Sequence, residues 1–217
     1  MKILVIVGPD GSGKSSIVDG LRKEIGKLTL VYCGRKNFNY KYLESLDYLI
    51  SNMPTFLFLI KIFLRYCIYY PIEFIDVKKR LFKASRGDDT NELIICERYF
   101  VDRAIRYFEL LELRKRHRIR AVTFFSEYLF AWVTKFFYLK YLKKMDTSYV
   151  FLNVNHHELF RRNNSDYRNS DEALAKSIAY NKIFHELQYS HKVQIDTAQP
   201  LENCVREILH FIKYEVS

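Results

Sequence analysis

The sequence predicts an α/β fold, a doubly wound five-stranded parallel sheet in a single domain, and three observations predict it. The chain opens MKILVIVGPDGSGKS, an apolar run from Ile3 to Val7 that ends at Gly8 and passes straight into a glycine-rich turn. Further apolar runs of strand length lie at 28–33, 93–96 and 148–154, and an alternating stretch lies at 192–196. Such runs suit strands buried on both faces of a sheet. Helical patterns separate successive runs, as the crossovers of parallel strands require. With 217 residues, 49% hydrophobic and 28% charged, the chain has the length and composition of one globular domain with a full core.

Gly8-Pro9-Asp10-Gly11-Ser12-Gly13-Lys14-Ser15 fits the pattern G-x-x-x-x-G-K-[ST] without a mismatch, and the helical run Ile17, Val18, Leu21, Ile25 follows it. Strand, loop and helix in that order turn successive backbone N–H groups and the open helix N-terminus onto one set of anionic oxygens. Gly8, Asp10, Gly11, Ser12, Gly13, Lys14, Ser15 and Ser16 are therefore the candidate nucleotide-binding residues. In this arrangement Lys14 bridges the β- and γ-phosphates and the Ser15 hydroxyl holds Mg²⁺, so ATP and Mg²⁺ are the expected cofactors. Together, loop and sheet predict a P-loop NTPase fold carrying helical insertions.

The helix over 14–26 ends at Gly26, and the second strand ends in Gly34-Arg35. Ligands of open parallel sheets bind at strand carboxyl ends, so Arg35 is either an acceptor contact or a solvated loop arginine. A helical insertion fills 36–91. Within it Pro54 and Pro71 bracket PTFLFLIKIFLRYCIYYP, where Phe56, Leu59, Ile60, Phe63 and Cys67 keep helical spacing and Leu57, Phe58, Ile62, Tyr66 and Tyr69 fill other faces. Such a helix is buried, or it meets a membrane or a partner. Lys61 and Arg65 interrupt the run before it reaches the roughly 20 apolar residues of a transmembrane span.

Leu93-Ile94-Ile95-Cys96 reads as the third strand, with Glu97-Arg98-Tyr99 at its carboxyl end. A carboxylate placed there can order Mg²⁺, making Glu97 a metal candidate beside Ser15, and Arg98 can grip phosphate oxygens bidentately. Asp102, Arg103 and Arg106 continue onto the next helix toward the same mouth; the plainer alternative is a surface salt bridge. Two helices fill 104–144, parted near Arg114-Lys115-Arg116-His117-Arg118-Ile119-Arg120. In the second, Val122, Phe125, Leu129, Trp132, Val133 and Phe136 form one stripe accompanied by Lys135, Lys140, Lys143 and Lys144. The stripe reads as a core face or dimer contact, with a basic aromatic surface against anionic lipid as the alternative.

After the fourth strand, His156-His157-Glu158-Leu159-Phe160-Arg161-Arg162 starts a helix that runs into a polar stretch. The adjacent histidines point to different faces, which argues against a metal site. A lid over 161–170 would bring Arg161, Arg162 and Arg168 to the phosphates and exclude water. A helix over 171–189, the fifth strand and a closing helix over 201–214 complete the domain.

The 35 basic and 25 acidic residues give a net charge of +10, which suits phosphate-rich ligands or an anionic membrane surface; nucleic acid is not the expected partner. Cys33, Cys67, Cys96 and Cys204 form no C-x-x-C pair, so the expectation is a reduced, cytoplasmic compartment. Lys2 leads directly into a strand, leaving no room for a signal peptide.

In order, GPDGSGKSS, ERYFVD, FLNVNHHELFRR and ID followed by PLE make the chain similar to the thymidylate kinase group of P-loop kinases over nearly its whole length. That resemblance implies transfer of the ATP γ-phosphate to a nucleoside monophosphate such as dTMP. It implies that Asp10 lies near the acceptor. Gly11 stands where some members carry an arginine, so catalytic arginines would come from the lid as Arg161, Arg162 or Arg168. The family's Asp-Arg pair corresponds to Glu97-Arg98, a variant also like the Glu-Arg-Ser of deoxynucleoside kinases. Lys14, Arg98, Glu97, Asp10, Arg162 and Arg168 are thus the candidate catalytic residues, and Arg161 joins the nucleotide contacts. The chain departs from the family after the second strand, where Cys33-Gly34-Arg35-Lys36-Asn37 replaces Arg-Glu-Pro-Gly-Gly-Thr. The loop-plus-ERY combination also resembles thymidylate-kinase-like proteins of bacterial surface-polysaccharide clusters, which implies a carbohydrate or surface-glycan hydroxyl at the inner membrane face as the alternative acceptor. A non-catalytic nucleotide-binding module is the reading from a different class.

Overall fold

The computed structural model of the chain describes residues 2–25, 28–33, 41–86, 93–97, 100–143, 147–163, 167–187 and 191–215. Strands β1 (Lys2–Val7), β2 (Leu28–Tyr32), β3 (Leu93–Glu97), β4 (Thr147–Asn153) and β5 (Lys192–Asp196) form one sheet in the order β2-β3-β1-β4-β5. All four pairings are parallel. This is the expected doubly wound sheet, with the strand that feeds the glycine-rich loop at its centre. Alternation along β1 divides the core. Leu4 and Ile6 face α1 (Lys14–Glu24) and α9 (Leu201–Glu215) through Ile17, Leu21, Val205 and Ile208. Ile3, Val5 and Val7 face the other way, into a layer of α4 (Tyr70–Ser85), α5 (Val101–Lys115), α6 (Ala121–Leu142) and α8 (Ser170–Glu186). Burying both faces of β1 is what its unbroken apolar run dictates.

The insertion holds α2 (Lys41–Asn52), which no sequence pattern singles out within 36–91, and α3 (Phe58–Phe63). Pro71 does not end the following helix, as its bracketing position suggested. Instead α3 continues through a π-helical stretch, Leu64–Tyr69, directly into α4, with Pro71 in the first turn of α4. Proline lacks the N–H of the helical ladder and its ring crowds the carbonyl four residues back; the wider π turn relieves both.

Two apolar stripes lie on the opposite side from a core face. Phe56, Leu59, Ile60 and Phe63 are exposed, whereas Ile62, Tyr66 and Tyr69 are buried. On α6 the predicted stripe of Val122, Phe125, Leu129, Trp132, Val133 and Phe136 faces outward, and the buried side carries Phe124, Glu127, Ala131, Thr134 and Tyr138. Glu127 accounts for the orientation: its carboxylate bonds Arg106 of α5 and Tyr66 of the insertion, so α6 turns this polar residue inward. Among the described residues no helix is long and apolar enough to cross a membrane. The cysteines are free thiols, with Cys33, Cys96 and Cys204 buried and Cys67 exposed.

Candidate functional site

The carboxyl ends of β1 and β3 lie level, Ile6 beside Glu97, so the loop after β1 and the last residue of β3 share one edge of the sheet. Gly13 precedes α1 with φ 87°, a left-handed conformation that disfavours any side chain. Lys14 is buried and curls back over the loop, its Nζ donating to the carbonyls of Gly8 (2.7 Å) and Pro9 (2.8 Å). The ammonium lies 3.7 Å from Asp10 Oδ1. Ser12 Oγ is buried under the loop with no hydrogen-bond partner among the described residues. Ser15 and Ser16, in the first turn of α1, are exposed.

Ser15 Oγ donates to Glu97 Oε1 at 3.2 Å, so the two predicted metal residues touch across 82 positions of sequence. A hydroxyl and a single carboxylate are hard oxygen donors, the kind of protein set with which Mg²⁺ is held when substrate phosphates and water supply the remaining ligands. The residues present therefore fit Mg²⁺. Among the described residues no cluster of three His, Cys, Asp or Glu offers a competing metal site.

Around Asp10 the structure adds residues that local sequence did not single out. Lys176 Nζ of α8 approaches Asp10 Oδ2 at 3.7 Å, and Tyr167 Oη donates to the Asp10 carbonyl at 3.0 Å. Tyr180 Oη donates to Asp102 Oδ1 at 2.7 Å. Burial, reinforced by the carboxylates of Asp102 and Asp10, pushes the Tyr180 phenol well above its ordinary range and keeps it a proton donor.

Of the charges on α5 expected to face the mouth, Arg103 and Arg106 both meet carboxylates. Arg103 donates to both oxygens of Glu73, from Nε at 2.7 Å and from Nη2, and its guanidinium lies 4.7 Å from the centre of the Tyr70 ring. Arg106 donates to both oxygens of Glu127 at 3.0 Å and to Glu109 at 3.0 Å, while Tyr66 Oη donates to Glu127 at 2.8 Å. Burial opposes charge on both arginines, but Glu73 for one and Glu109 with Glu127 for the other outweigh it and hold them above the usual guanidinium range. The α5 charges are thus an internal network, and the surface salt-bridge reading does not hold for Arg103 and Glu73, both largely buried. Glu73 carried one sequence signal: it and Asp76 are the acids of an otherwise apolar and basic helix. Nothing near Lys176, Tyr167 or Tyr180 in sequence marked them.

The lid candidates sit on α7 (His156–Arg162) and just before α8. Arg161 donates to Glu158 at 2.7 and 2.6 Å, and Arg162 to Glu158 at 2.8 Å and to the Thr197 carbonyl at 3.4 Å. Hydrogen bonds from the two arginines bring Glu158 down to about 2. Asn169 caps α8 by accepting from the Glu172 N–H, and Glu172 accepts from the Arg168 N–H at 2.9 Å, fixing the Arg168 backbone and leaving its side chain exposed. At Gly11, φ is +88° and a Cβ would come within 3.1 Å of Asn163 Cβ at the end of α7. The end of α7 therefore fills the space that a side chain at this loop position would need. Arg98, Arg35 and the lid residues 164–166 lie outside the described residues.

No family model matches the sequence, and no curated protein matches it. Solved structures do. Deoxyadenosine kinase from M. mycoides with bound dATP aligns over 98% of this chain and 100% of its own, with a TM-score of 0.64 at 13% identity. The same enzyme with bound dCTP aligns with a TM-score of 0.58 at 11% identity, covering 97% of this chain and 98% of its own. YorR protein from Bacillus subtilis, in complex with phosphorylated GDP, covers 99% of this chain and 97% of its own, with a TM-score of 0.53 at 12% identity. At these identities the likeness is one of fold: the chain shares its five-stranded parallel architecture with these structures from end to end.

Proposed function

We propose that this chain is a P-loop kinase that moves the γ-phosphate of ATP to the hydroxyl of a deoxynucleoside. The observation that carries the choice of acceptor is the pairing of Arg103 and Arg106 with Glu73 and Glu127. An acceptor phosphate needs guanidinium groups free to turn to it, whereas Arg103 and Arg106 are fixed by largely buried carboxylates of neighbouring helices, unlike the exposed Arg161 and Arg162, whose partner Glu158 lies on their own short helix. A paired arginine and carboxylate beside the Tyr70 ring instead offers donors and acceptors to a neutral, flat polar group. The fold shared with deoxyadenosine kinase supports the same choice.

In this reading the loop N–H groups and Lys14 hold the β- and γ-phosphates, and Ser15 with Glu97 holds Mg²⁺. Bound there, Mg²⁺ supplies charge neutralisation on the phosphate oxygens. Lys14 exchanges the carbonyls of Gly8 and Pro9 for phosphate oxygens as ATP binds. Arg161, Arg162 and Arg168 close from the lid onto the transferred group, and Arg98 orients it against the acceptor. Asp10, positioned by Lys176 and by the bond from Tyr167 to its carbonyl, takes the hydroxyl proton. Glu97 is committed to Ser15 and the metal, which leaves Asp10 and Asp102 as the carboxylates for that step.

A second reading, a nucleoside monophosphate acceptor of thymidylate type, is favoured by the order of the GPDGSGKSS and ERYFVD motifs. The test is ADP release by the purified chain with ATP·Mg²⁺ and, in turn, deoxynucleosides, dTMP and other nucleoside monophosphates, and bacterial sugars. Release with a deoxynucleoside above the ATP-only background is expected. Release with dTMP alone overturns the hydroxyl acceptor, release with a sugar alone moves the acceptor to carbohydrate, and release with none leaves a nucleotide-binding module.

A further inference from the structure

We infer that Lys176 of α8 is a further catalytic residue, whose ammonium grips an oxygen of the γ-phosphate while it keeps its place beside Asp10. The inference rests on the kinase reading above and adds to it a cation that comes from outside the loop and the lid. Asp10 stands between two ammonium groups: Lys14 Nζ lies 3.7 Å from Oδ1, and Lys176 Nζ lies 3.7 Å from Oδ2. Lys14 also donates to the carbonyls of Gly8 and Pro9. Lys176 has no such support: among the described residues its Nζ makes no hydrogen bond, although its side chain is only 25% exposed. An ammonium carries three donors and no acceptor, so one largely withdrawn from water is short of anionic oxygen. Neighbouring cations are already bonded, Arg103, Arg106, Arg161 and Arg162 each donating to carboxylates. Stability does not explain the placement, because a partly exposed ion pair at this separation contributes little.

Packing fixes where Lys176 stands. One turn before it Ala173 is buried with Val154, Leu159 and Tyr167, and one turn after it Ala179 and Tyr180 enter the main core. Tyr167 donates to the Asp10 carbonyl and Tyr180 to Asp102, so this stretch is bonded to the glycine-rich loop on one side and to α5 on the other. Lys176 and Tyr180, four residues apart, share one face of α8, which brings an ammonium to the carboxylates left for the proton step. The loop has no room for a second cation at Gly11, where φ is +88° and a Cβ would come within 3.1 Å of Asn163 Cβ. A neighbouring helix supplies the charge instead. When ATP enters, Lys14 turns from Asp10 to the phosphates and uncovers Oδ1. Lys176 stays at Oδ2 and has donors to spare for a γ-phosphate oxygen. Oδ1 then accepts the proton of the acceptor hydroxyl as the hydroxyl oxygen forms its bond to the γ-phosphorus. The bond from that phosphorus to the β–γ bridging oxygen breaks, and its electron pair leaves on ADP. Lys176 keeps its proton throughout; it offsets charge on the transferred oxygens and fixes them against the carboxylate that takes the proton. Before ATP binds, both oxygens of Asp10 face ammonium groups, so the base opens to the hydroxyl only once the donor is in place.

The test separates contact with the γ-phosphate from support of Asp10. Calorimetric titration of the full chain measures binding of ADP and of a non-hydrolysable ATP analogue with an imido β–γ bridge, both with Mg²⁺, to wild type, Lys176→Met and Lys176→Arg. Lys176→Met should weaken the analogue about 10-fold or more and ADP less than about 2-fold, because one charge-assisted bond to the γ-phosphate is lost. Lys176→Arg should restore most of the difference. With the acceptor that wild type uses in the ADP-release assay, Lys176→Met should lower kcat about 100-fold and leave the acceptor KM within about 3-fold. If Lys176→Met lost its helical spectrum, Lys176→Gln would be read by the same measurements. Equal loss for analogue and ADP, or none, overturns the inference, while turnover by wild type leaves the kinase reading standing. A fall in kcat without the analogue-specific loss also overturns it, since that result confines Lys176 to supporting Asp10. A wild type that binds the analogue yet phosphorylates no acceptor overturns the kinase reading, and the comparison of analogue with ADP still decides the Lys176 contact. A wild type that binds neither nucleotide overturns both.

Discussion

Removing the Glu127 carboxylate tests whether the polar side of α6 is what holds that helix in place. Glu127 accepts three bonds, from Arg106 Nε and Nη2 at 3.0 Å each and from Tyr66 Oη at 2.8 Å. In Glu127→Ala the Tyr66 hydroxyl, 7% exposed as a residue, loses this acceptor, at a cost of about 1–3 kcal/mol. Arg106 keeps Glu109 at 3.0 Å and its side chain is 32% exposed, so its share stays below the ~3–5 kcal/mol of a fully broken buried pair. The expected loss is about 3 kcal/mol. For a chain of this size that lowers the melting temperature by about 6–12 °C. Urea unfolding at one fixed protein concentration measures it, with the slope checked for constancy. Tyr66→Phe alone should cost about 1 kcal/mol, and combined with Glu127→Ala it should add little, because the hydroxyl that was stranded is gone. A loss under about 1 kcal/mol in Glu127→Ala, or strict additivity of the two changes, would refute the role given to this carboxylate.

Three further outcomes follow from the same geometry. Lys14→Ala should lower turnover by about 100-fold or more with the circular dichroism spectrum unchanged; normal turnover would exclude phosphoryl transfer at this loop. Glu97→Gln should raise the Mg²⁺ concentration needed for half-maximal activity, measured by metal titration at saturating ATP, and an unchanged titration would remove Glu97 from the metal site. For pH, burial pushes Glu127 and Glu109 up, but the Arg106 guanidinium outweighs it and holds both below the usual 4.5. These groups bind protons less readily folded than unfolded, so their contribution is complete above about pH 4.5 and is lost as pH falls through their lower folded values. Melting temperatures taken from pH 7 down to pH 3 should therefore drop below about 4.5 in the wild type, and drop less in Glu127→Ala.

The donor half of the site could be read from sequence because its chemistry is local. Eight consecutive residues carry the loop, and the strand before it and helix after it are fixed by apolar runs that tolerate one burial pattern. Glu97 could be placed because a charge directly after four buried residues has to sit at a strand end, and the parallel register then puts it level with the loop. The acceptor half was read only in part. Asp102, Arg103 and Arg106 were placed on one helix by periodicity, but their partners Tyr180, Glu73 and Glu127 come from three other helices. Lys176 likewise reaches Asp10 across 166 positions of chain. Nothing in the residues next to it records that meeting.

The inverted helices show where periodicity misleads. A stripe at helical spacing identifies a face that avoids water; it does not say whether the covering surface is the core of the same chain. On α6 the regular stripe ran through Phe125, Leu129, Trp132 and Phe136, and assigning it to the core required Glu127 and Thr134 to face solvent. The fold does the reverse: Glu127 turns inward to accept from Arg106 and Tyr66, and the stripe lies on the outer side. The polar contacts of Glu127 thus fix which side of α6 faces the rest of the chain. The same reasoning applies to the insertion, where Glu73 turns inward to meet Arg103 and so directs Ile75 outward. In both helices the buried ion pair sets the rotation about the helix axis, and the apolar outer face is its consequence.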